Sequence, residues 1–320
     1  LYLPFSFTLG EDGNQQHVYL VFRRAMMCAS LLGIMQFLLQ LSGRPYFDLL
    51  SFLPVDWVQK GFNTSYPIQY GSQLYKSNAF LFLEPSFLSQ FIALALVVEY
   101  LYFGNYVVYL LFLSGLICSF SGTGLLLLLF FAIVQLCLHR SFKVAALAAL
   151  TALCLCISFP SYFSLMASRI SEFGSEGSSG FIRFIAPMMV LYDFVTSDAF
   201  LIGWGAGIID KLNLSVEANY TAVPKVIIEY GVLAGAAYLA FIYRAFMRCQ
   251  DQPLFGLCML FFYLFLAGNL LNPQIVIFCY LMTTAFRGGA SYRAPETTEP
   301  PVDALLTPRL NPELERTIHS

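Results

Sequence analysis

Charge is scarce in this sequence. Asp, Glu, Lys and Arg together make up 11% of the 320 residues, whereas hydrophobic residues make up 58% and the mean hydropathy is +0.70. A soluble domain has about 25% charged residues, so water cannot be the solvent for most of this protein's surface. No basic run occurs and the net charge is −2, so nucleic acid is not an expected partner.

Cysteine is absent from the two long hydrophilic stretches, residues 44–86 and 160–222. A disulfide framework in an oxidising compartment would need cysteines in those stretches. Cys154 and Cys156 lack the spacing of a CxxC motif, and no cysteine pair has a histidine near it. The sequence therefore predicts neither a redox motif nor a structural zinc site.

Histidine is also absent from the two long stretches, since His17, His139 and His319 all lie outside them. The chain also lacks a Ser-His-Asp pattern, an HExxH motif and a Walker motif. These absences disfavour protease, metallohydrolase and nucleotide-driven chemistry. We therefore expect a reaction that uses no metal and no cofactor.

The two ends of the chain differ from its apolar middle. The first residue is Leu1, and residues 1–16 have neither the basic start nor the cleavage site of a signal peptide. We interpret the chain as a fragment that lacks upstream membrane helices, with residues 1–24 as a cytoplasmic segment. Residues 288–320 hold five prolines and few large apolar groups, which predicts a disordered cytoplasmic tail.

Long apolar segments dominate the rest of the sequence. A transmembrane helix needs about 20 apolar residues, with a range of roughly 17–25. Candidate spans are residues 25–41, 87–103, 106–120, 125–138, 144–159, 223–243, 254–271 and 275–286. The sequence therefore predicts an all-α integral membrane fold, a polytopic bundle of about eight spans over residues 25–287. Its two long outer loops are residues 44–86 and 160–222.

The turn at Ser121-Gly122-Thr123-Gly124 predicts two helices joined tightly, with a single broken helix as the alternative.

The distribution of Lys and Arg predicts the orientation of the bundle, because basic residues of short loops and helix ends favour the cytoplasm. If successive spans cross the membrane in alternate directions, the cytoplasmic side carries Arg23, Arg24, Arg140, Lys143, Arg244, Arg248, Arg287, Arg293, Arg309 and Arg316. The other basic residues lie in the two long loops or at their edges, so both loops are expected to face outward.

Residues 181–195 regain helical periodicity inside the second long loop. Pro187 and Asp193 interrupt the segment, which favours an amphipathic helix at the outer interface over a span. Arg183 begins this helix, and its planar fork of donors suits the pyrophosphate of a lipid-linked donor. The alternative is that Arg183 anchors the helix at the interface by pairing with lipid headgroups. Arg169 is a weaker candidate of the same kind.

Glu84-Pro85-Ser86 stands where the first long loop meets a span. Ser86 suits an N-cap, and Glu84 would lie near the positive end of the helix dipole. Glu84 is also a candidate for orienting or deprotonating a sugar hydroxyl at the outer rim. Both interpretations stay open on the sequence.

Two further patterns lie near the last third of the chain. Residues 203–207, Gly-Trp-Gly-Ala-Gly, predict a tight turn, and Trp204 could stack on a sugar or belong to an aromatic belt. Lys225 and Glu229 share one helical face. They could form part of a substrate site or a purely structural ion pair. Glu99 is expected to be only an interfacial residue near the inner end of its helix.

Taken in order, these pieces resemble the bacterial O-antigen polymerase and ligase superfamily over roughly residues 25–287. The matching stretches are residues 82–86 (FLEPS), 119–126 (SFSGTGLL), 179–184 (SGFIRF), 203–207 (GWGAG), 219–220 (NY) and 229–235 (EYGVLAG). The resemblance implies a metal-independent integral-membrane glycosyltransferase with a glycosyltransferase-C-like fold. Such an enzyme transfers glycan from undecaprenyl diphosphate to an acceptor hydroxyl at the outer face of the bacterial inner membrane.

The resemblance also implies roles for individual residues and partners. The family's diphosphate-binding arginines carry onto Arg183 and, less securely, Arg169, and its Glu-Pro-Ser segment carries onto Glu84. Substrate binding is expected from a further group: Lys225, Glu229, Asn219, Tyr220, Trp204 and Lys76. The expected partners are undecaprenyl-diphosphate-linked oligosaccharide, membrane lipids and a chain-length regulator.

This chain departs from the family pattern at two places. The ligase branch has a histidine where Ala218 precedes Asn219, which favours a polymerase over the alternative of an O-antigen ligase. The arginine that begins the family's Glu-Pro-Ser segment is missing, and Lys76 stands near its place as a point charge. A lipid-glycan transporter or flippase is the alternative of another class, although no pair of broken helices marks an inverted repeat.

Overall fold

The computed structural model describes residues 3–9, 14–54, 64–68, 71–139, 174–176, 178, 180–211, 218–248, 252–266 and 272–286. Within these ranges the regular structure is helical, and the only bridge between extended segments joins Pro67 to Tyr75. The all-helical class predicted from the sequence is therefore confirmed for the described residues. Residues 144–159, Arg169 and the tail 288–320 lie outside them.

Eight α-helices follow one another along the described chain. They are α1 (Asn14–Leu41), α2 (Pro85–Val98), α3 (Tyr106–Cys118), α4 (Gly122–His139), α5 (Ala186–Val195), α6 (Ala222–Arg248), α7 (Pro253–Phe261) and α8 (Pro273–Thr283). Three π-helical turns extend them: Glu99–Phe103 after α2, Phe181–Ile185 before α5 and Phe262–Leu266 after α7. Short 3-10 turns occur at Leu3–Ser6, Leu49–Phe52 and Ile209–Lys211.

Three of these helices are long and apolar enough to cross a membrane: Gln15–Leu41, Pro85–Phe103 and Ala222–Arg248. The apolar helices at Tyr106–Cys118, Gly122–Leu138, Pro253–Leu266 and Pro273–Thr283 are shorter. At 1.5 Å per residue, a helix of about 14 residues spans only about 21 Å of a 30 Å hydrocarbon layer. The chain thus has the helices of a membrane protein, and the number of eight spans stays a prediction.

Local sequence explains where several helices begin. Asn105 and Asn272 cap α3 and α8, since each side-chain oxygen accepts from two backbone N–H groups of the first turn. Pro85, Pro253 and Pro273 occupy the first turns of α2, α7 and α8, where a missing N–H costs nothing. The tight turn predicted between α3 and α4 is confirmed, because residues 119–121 separate two distinct helices.

Helix α2 lies at the centre of the bundle, and eleven of its residues are buried. It approaches α4 so closely that a Cβ at Gly124 would collide with the carbonyl of Ser89. The Ser89 and Thr123 hydroxyls are 3.1 Å apart at this crossing. Small residues and hydroxyl contacts of this kind let apolar helices pack tightly inside a bilayer.

The described parts of both long loops meet at one end of the bundle, which we call the loop end, where Arg183 of the second loop lies 3.9 Å from Glu84 of the first. There the N–H of Ser77 donates to Cys118 O at 3.1 Å, and Thr123 Oγ1 donates to Ser86 O at 3.1 Å. The segment leading into α6 and the turn before α5 meet at the same end. The outward orientation of the loop end stays a prediction.

The opposite end is held by a buried ion pair. Arg23 Nε lies 2.6 Å from Glu99 Oε2, and the Asn105 N–H donates to Glu99 Oε1 at 2.8 Å. Glu99 lies at the end of α2 as predicted, and its side chain is only 1% exposed; its place at a membrane interface stays a prediction. The Glu99 carboxylate lies between Arg23 of α1 and Asn105, the N-cap of α3.

Candidate functional site

The structure brings Glu84 and Arg183 together at the loop end. Glu84 precedes α2 in an extended conformation, and Arg183 lies in the π-helical turn before α5. Arg183 Nη2 is 3.9 Å from Glu84 Oε2, with side chains 19% and 11% exposed. The two residues predicted to do the chemistry therefore face each other in a partly desolvated position, where charges act more strongly than in water.

The start of α2 fixes the position of the Glu84 carboxylate. Pro85 takes the first helical position, so Ser86 lies inside the helix and its hydroxyl donates to Glu84 Oε2 at 2.8 Å. The prediction of Ser86 as the N-cap is wrong, since Glu84 occupies that position and makes no side-chain cap bond. Thr123 ties the same turn to α4 through Ser86 O.

Tyr66 and Lys76 lie in the first long loop and contact each other. The Lys76 N–H donates to Tyr66 O at 2.8 Å, and Lys76 Nζ lies 5.8 Å from the centroid of the Tyr66 ring. Burial raises the pKa of the Tyr66 phenol, the Glu84 carboxylate raises it further, and Arg183 offsets part of that rise. We call Tyr66, Lys76, Glu84 and Arg183 the loop-end cluster.

Sequence reasoning named three members of the loop-end cluster and missed Tyr66. Tyr66 lies in no motif, and its neighbours carry no periodic pattern. Only the pairing of residues 66–68 with residues 74–76 brings it beside Lys76. No signal in the sequence could have found it.

Lys225 and Glu229 form a second charged pair in the first turns of α6. Lys225 Nζ lies 3.8 Å from Glu229 Oε1, beyond hydrogen-bond distance. Glu229 is only 4% exposed, and its Oε1 has no hydrogen-bond partner among the described residues. A buried carboxylate oxygen without a donor is costly, so this position remains a candidate for binding.

The turn at residues 203–207 packs against a break in α6. Gly231 has φ 82° and ψ 168°, which interrupts the helix. Trp204 N–H then donates to Ile228 O at 2.9 Å, Gly205 N–H to Glu229 O at 3.0 Å, and Val232 N–H to Phe200 O at 3.0 Å. The turn predicted from the glycines therefore supplies backbone groups that the broken helix would otherwise leave unpaired.

The remaining predicted residues hold these pieces together. The Trp204 ring meets Phe194 edge-on at 5.3 Å within an apolar cluster, so it packs the turn, and sugar stacking stays a prediction. Asn219 N–H donates to Ile182 O at 2.9 Å, which ties the entry of α6 to the turn that carries Arg183. Burial raises the pKa of Tyr220, and its hydroxyl has no hydrogen-bond partner among the described residues.

No family model, curated protein or solved structure matches this chain. The resemblance to the O-antigen polymerase and ligase superfamily therefore depends on the short motifs alone. Arg169, one of the residues that the resemblance singled out, lies outside the described residues.

The loop-end cluster combines two cations, one carboxylate and one phenol. The guanidinium of Arg183 provides paired donors that suit phosphate oxygens. Among the described residues, no group of three or more potential metal ligands occurs. The cluster can thus bind an anion through side chains and offer a carboxylate to a neighbouring hydroxyl.

Proposed function

We propose that this protein is a polymerase of lipid-linked polysaccharide repeat units in O-antigen, capsule or exopolysaccharide synthesis. It transfers a growing glycan from undecaprenyl diphosphate to a sugar hydroxyl of an incoming lipid-linked unit. The proposal puts the protein in the bacterial inner membrane with the loop end at the periplasmic face. The observation that carries it is the meeting of Arg183 and Glu84, at 3.9 Å, from two separate long loops.

In this proposal Arg183 binds the diphosphate group of the donor. The bond from the anomeric carbon to the diphosphate oxygen breaks, and the departing diphosphate carries the electron pair. A guanidinium held in a partly buried position stabilises that developing charge without reorganising. Lys76, Arg169 or Lys225 would add a second positive charge for the same group.

Glu84 acts on the hydroxyl of the acceptor sugar. The acceptor oxygen forms the new bond to the anomeric carbon, and Glu84 takes up the proton that this oxygen loses. Ser86 orients the carboxylate by donating to its Oε2. Asn219, Tyr220, Trp204 and Glu229 belong to the binding surface for the glycan in this proposal.

Reconstitution tests the proposal directly. Purified protein in lipid vesicles receives undecaprenyl-diphosphate-linked oligosaccharide, and the product glycans are sized on a gel. A polymerase gives a ladder of lengthened lipid-linked chains without added metal or nucleotide. Translocation of unchanged glycan would identify a transporter, and transfer only to a lipid A core acceptor would identify a ligase; either result overturns the proposal.

A further inference from the structure

Two consecutive residues ahead of Glu84 have a costly backbone conformation. Ala79 has φ 54° and Phe80 has φ 62°, values in the left-handed region that only glycine enters without strain. Strain of this kind persists only where the surrounding structure holds it, and it occurs mainly at functional sites. Both residues lie in the short stretch that leads from the first long loop to Glu84 and α2. The groups that hold this strained pair therefore help to decide where Glu84 lies.

Gln36 of α1 binds the two residues that precede the strained pair. Its side chain is buried, and its Oε1 accepts from Asn78 N–H at 3.0 Å and lies 2.7 Å from the Ser77 hydroxyl. Its Nε2 donates to Asn78 Oδ1 at 2.9 Å and to Phe47 O at 3.0 Å. Both amide hydrogens and both lone pairs of the carbonyl are thus in use. A buried polar network that is fully satisfied in this way makes the segment that it binds rigid.

Ser77 and Asn78 in turn bind the strained pair and the residue beyond it. Ala79 N–H donates to Ser77 Oγ at 3.3 Å, and Phe80 N–H donates to Asn78 Oδ1 at 3.0 Å. Asn78 Nδ2 donates to Phe82 O at 2.9 Å, and Phe82 N–H donates to Asn78 O at 3.1 Å. Asn78 therefore binds both backbone polar groups of Phe82.

Phe82 stands two residues before Glu84, and its ring also contacts Phe91 of α2, with the centroids 5.9 Å apart. An unbroken series of hydrogen bonds thus leads from Gln36 through Asn78 to the backbone just ahead of the carboxylate. We infer that Gln36 is a positioning residue of the proposed polymerase, which fixes the place of Glu84 through Asn78. The inference rests on the proposed function, in which Glu84 takes up the proton of the acceptor hydroxyl.

A double-mutant cycle in the reconstituted assay tests this inference. Gln36→Leu keeps most of the side-chain volume and removes its hydrogen bonds, so kcat for chain lengthening should fall by about 10–10²-fold, as expected for a misplaced catalytic group. The Kd for undecaprenyl diphosphate should not change, because Arg183 is untouched. In the Glu84→Gln background the proton acceptor is already lost, so Gln36→Leu should cause little further fall in kcat.

Gln15→Leu is the matched control from the other end of α1. Gln15 is also buried, and its Nε2 donates to two backbone carbonyls, Leu281 O at 3.2 Å and Met282 O at 3.1 Å. Its kcat should equal that of the wild type, whatever its melting temperature. If Gln36→Leu does not fold, Ser77→Ala replaces it in the same cycle, since that variant removes only one hydroxyl, and a smaller fall in kcat is expected.

The outcomes separate this inference from the proposed function. If the fall in kcat caused by Gln36→Leu is the same with and without Glu84→Gln, Gln36 acts independently of Glu84 and the inference is wrong, while the proposed function stands. An unchanged kcat in Gln36→Leu, or an equal fall in Gln15→Leu, would also contradict the inference. If the wild type lengthens no chains, the proposed function fails and the inference fails with it.

Discussion

Arg183 faces Glu84 at a separation where the two charges attract without a hydrogen bond. Each side chain thus keeps hydrogen-bonding capacity for a ligand. Sequence motifs predicted both residues because arginine suits diphosphate and a carboxylate suits a hydroxyl. Their proximity could not be predicted, since it depends on how two loops fold.

Substitution of Arg183 tests the donor role at the residue scale. Arg183→Ala should lower the rate of chain lengthening by about 10²–10³-fold, the usual cost of losing one preorganised charge-stabilising donor. Arg183→Lys keeps the charge without the fork and should fall between alanine and wild type. The rates come from the reconstituted assay, and membrane insertion is checked by detergent extraction and melting temperature.

Glu84→Gln tests the acceptor role separately. The amide keeps the shape of the side chain but takes up no proton, so lengthening should slow by about 10²–10⁴-fold. Undecaprenyl diphosphate should still bind, because the cationic groups are untouched. A variant that lengthens chains at the wild-type rate would remove Glu84 from the proton transfer.

At the element scale, α6 depends on a turn that lies earlier in the chain. The glycines of residues 203–207 predicted a tight turn, and the structure packs this turn on the break in α6 at Gly231. A Cβ at Gly203 would collide with Glu229 O, and a Cβ at Gly231 with Leu201 O. The sequence predicted the turn but not its partner, because backbone pairing between non-helical segments leaves no side-chain pattern.

Alanine at Gly231 tests that contact. The backbone angles of Gly231, φ 82° and ψ 168°, are essentially restricted to glycine and cost about 1–3 kcal/mol for another residue, and forcing atoms into a packed contact adds about 1–3 kcal/mol. We expect a clear fall in melting temperature for Gly231→Ala. Gly122→Ala is the control, because a Cβ there meets nothing within 4 Å and its backbone is helical, so stability should hold or rise. Equal stability of the two variants would contradict the packing of the turn on α6.

At the scale of the whole molecule, the two ends of the bundle differ in what they hold. The loop end carries partly exposed charges that face each other without hydrogen bonds, as at Arg183 and Glu84. The opposite end carries the closed pair of Arg23 and Glu99, in which both carboxylate oxygens accept bonds. The sequence did not predict this difference, because a contact between separate helices, such as that of Arg23 with Glu99, leaves no pattern in either segment.

The account requires the loop end to face away from the cytoplasm, where the lipid-linked substrates of such a polymerase lie. In a cysteine-free background, Asp198→Cys marks the loop end and Arg24→Cys marks the opposite end; both side chains are exposed. A membrane-impermeant maleimide added to spheroplasts should label position 198 at once and position 24 only after lysis. Labelling of position 24 in intact spheroplasts, with position 198 protected until lysis, would put Arg183 inside the cell and contradict the account.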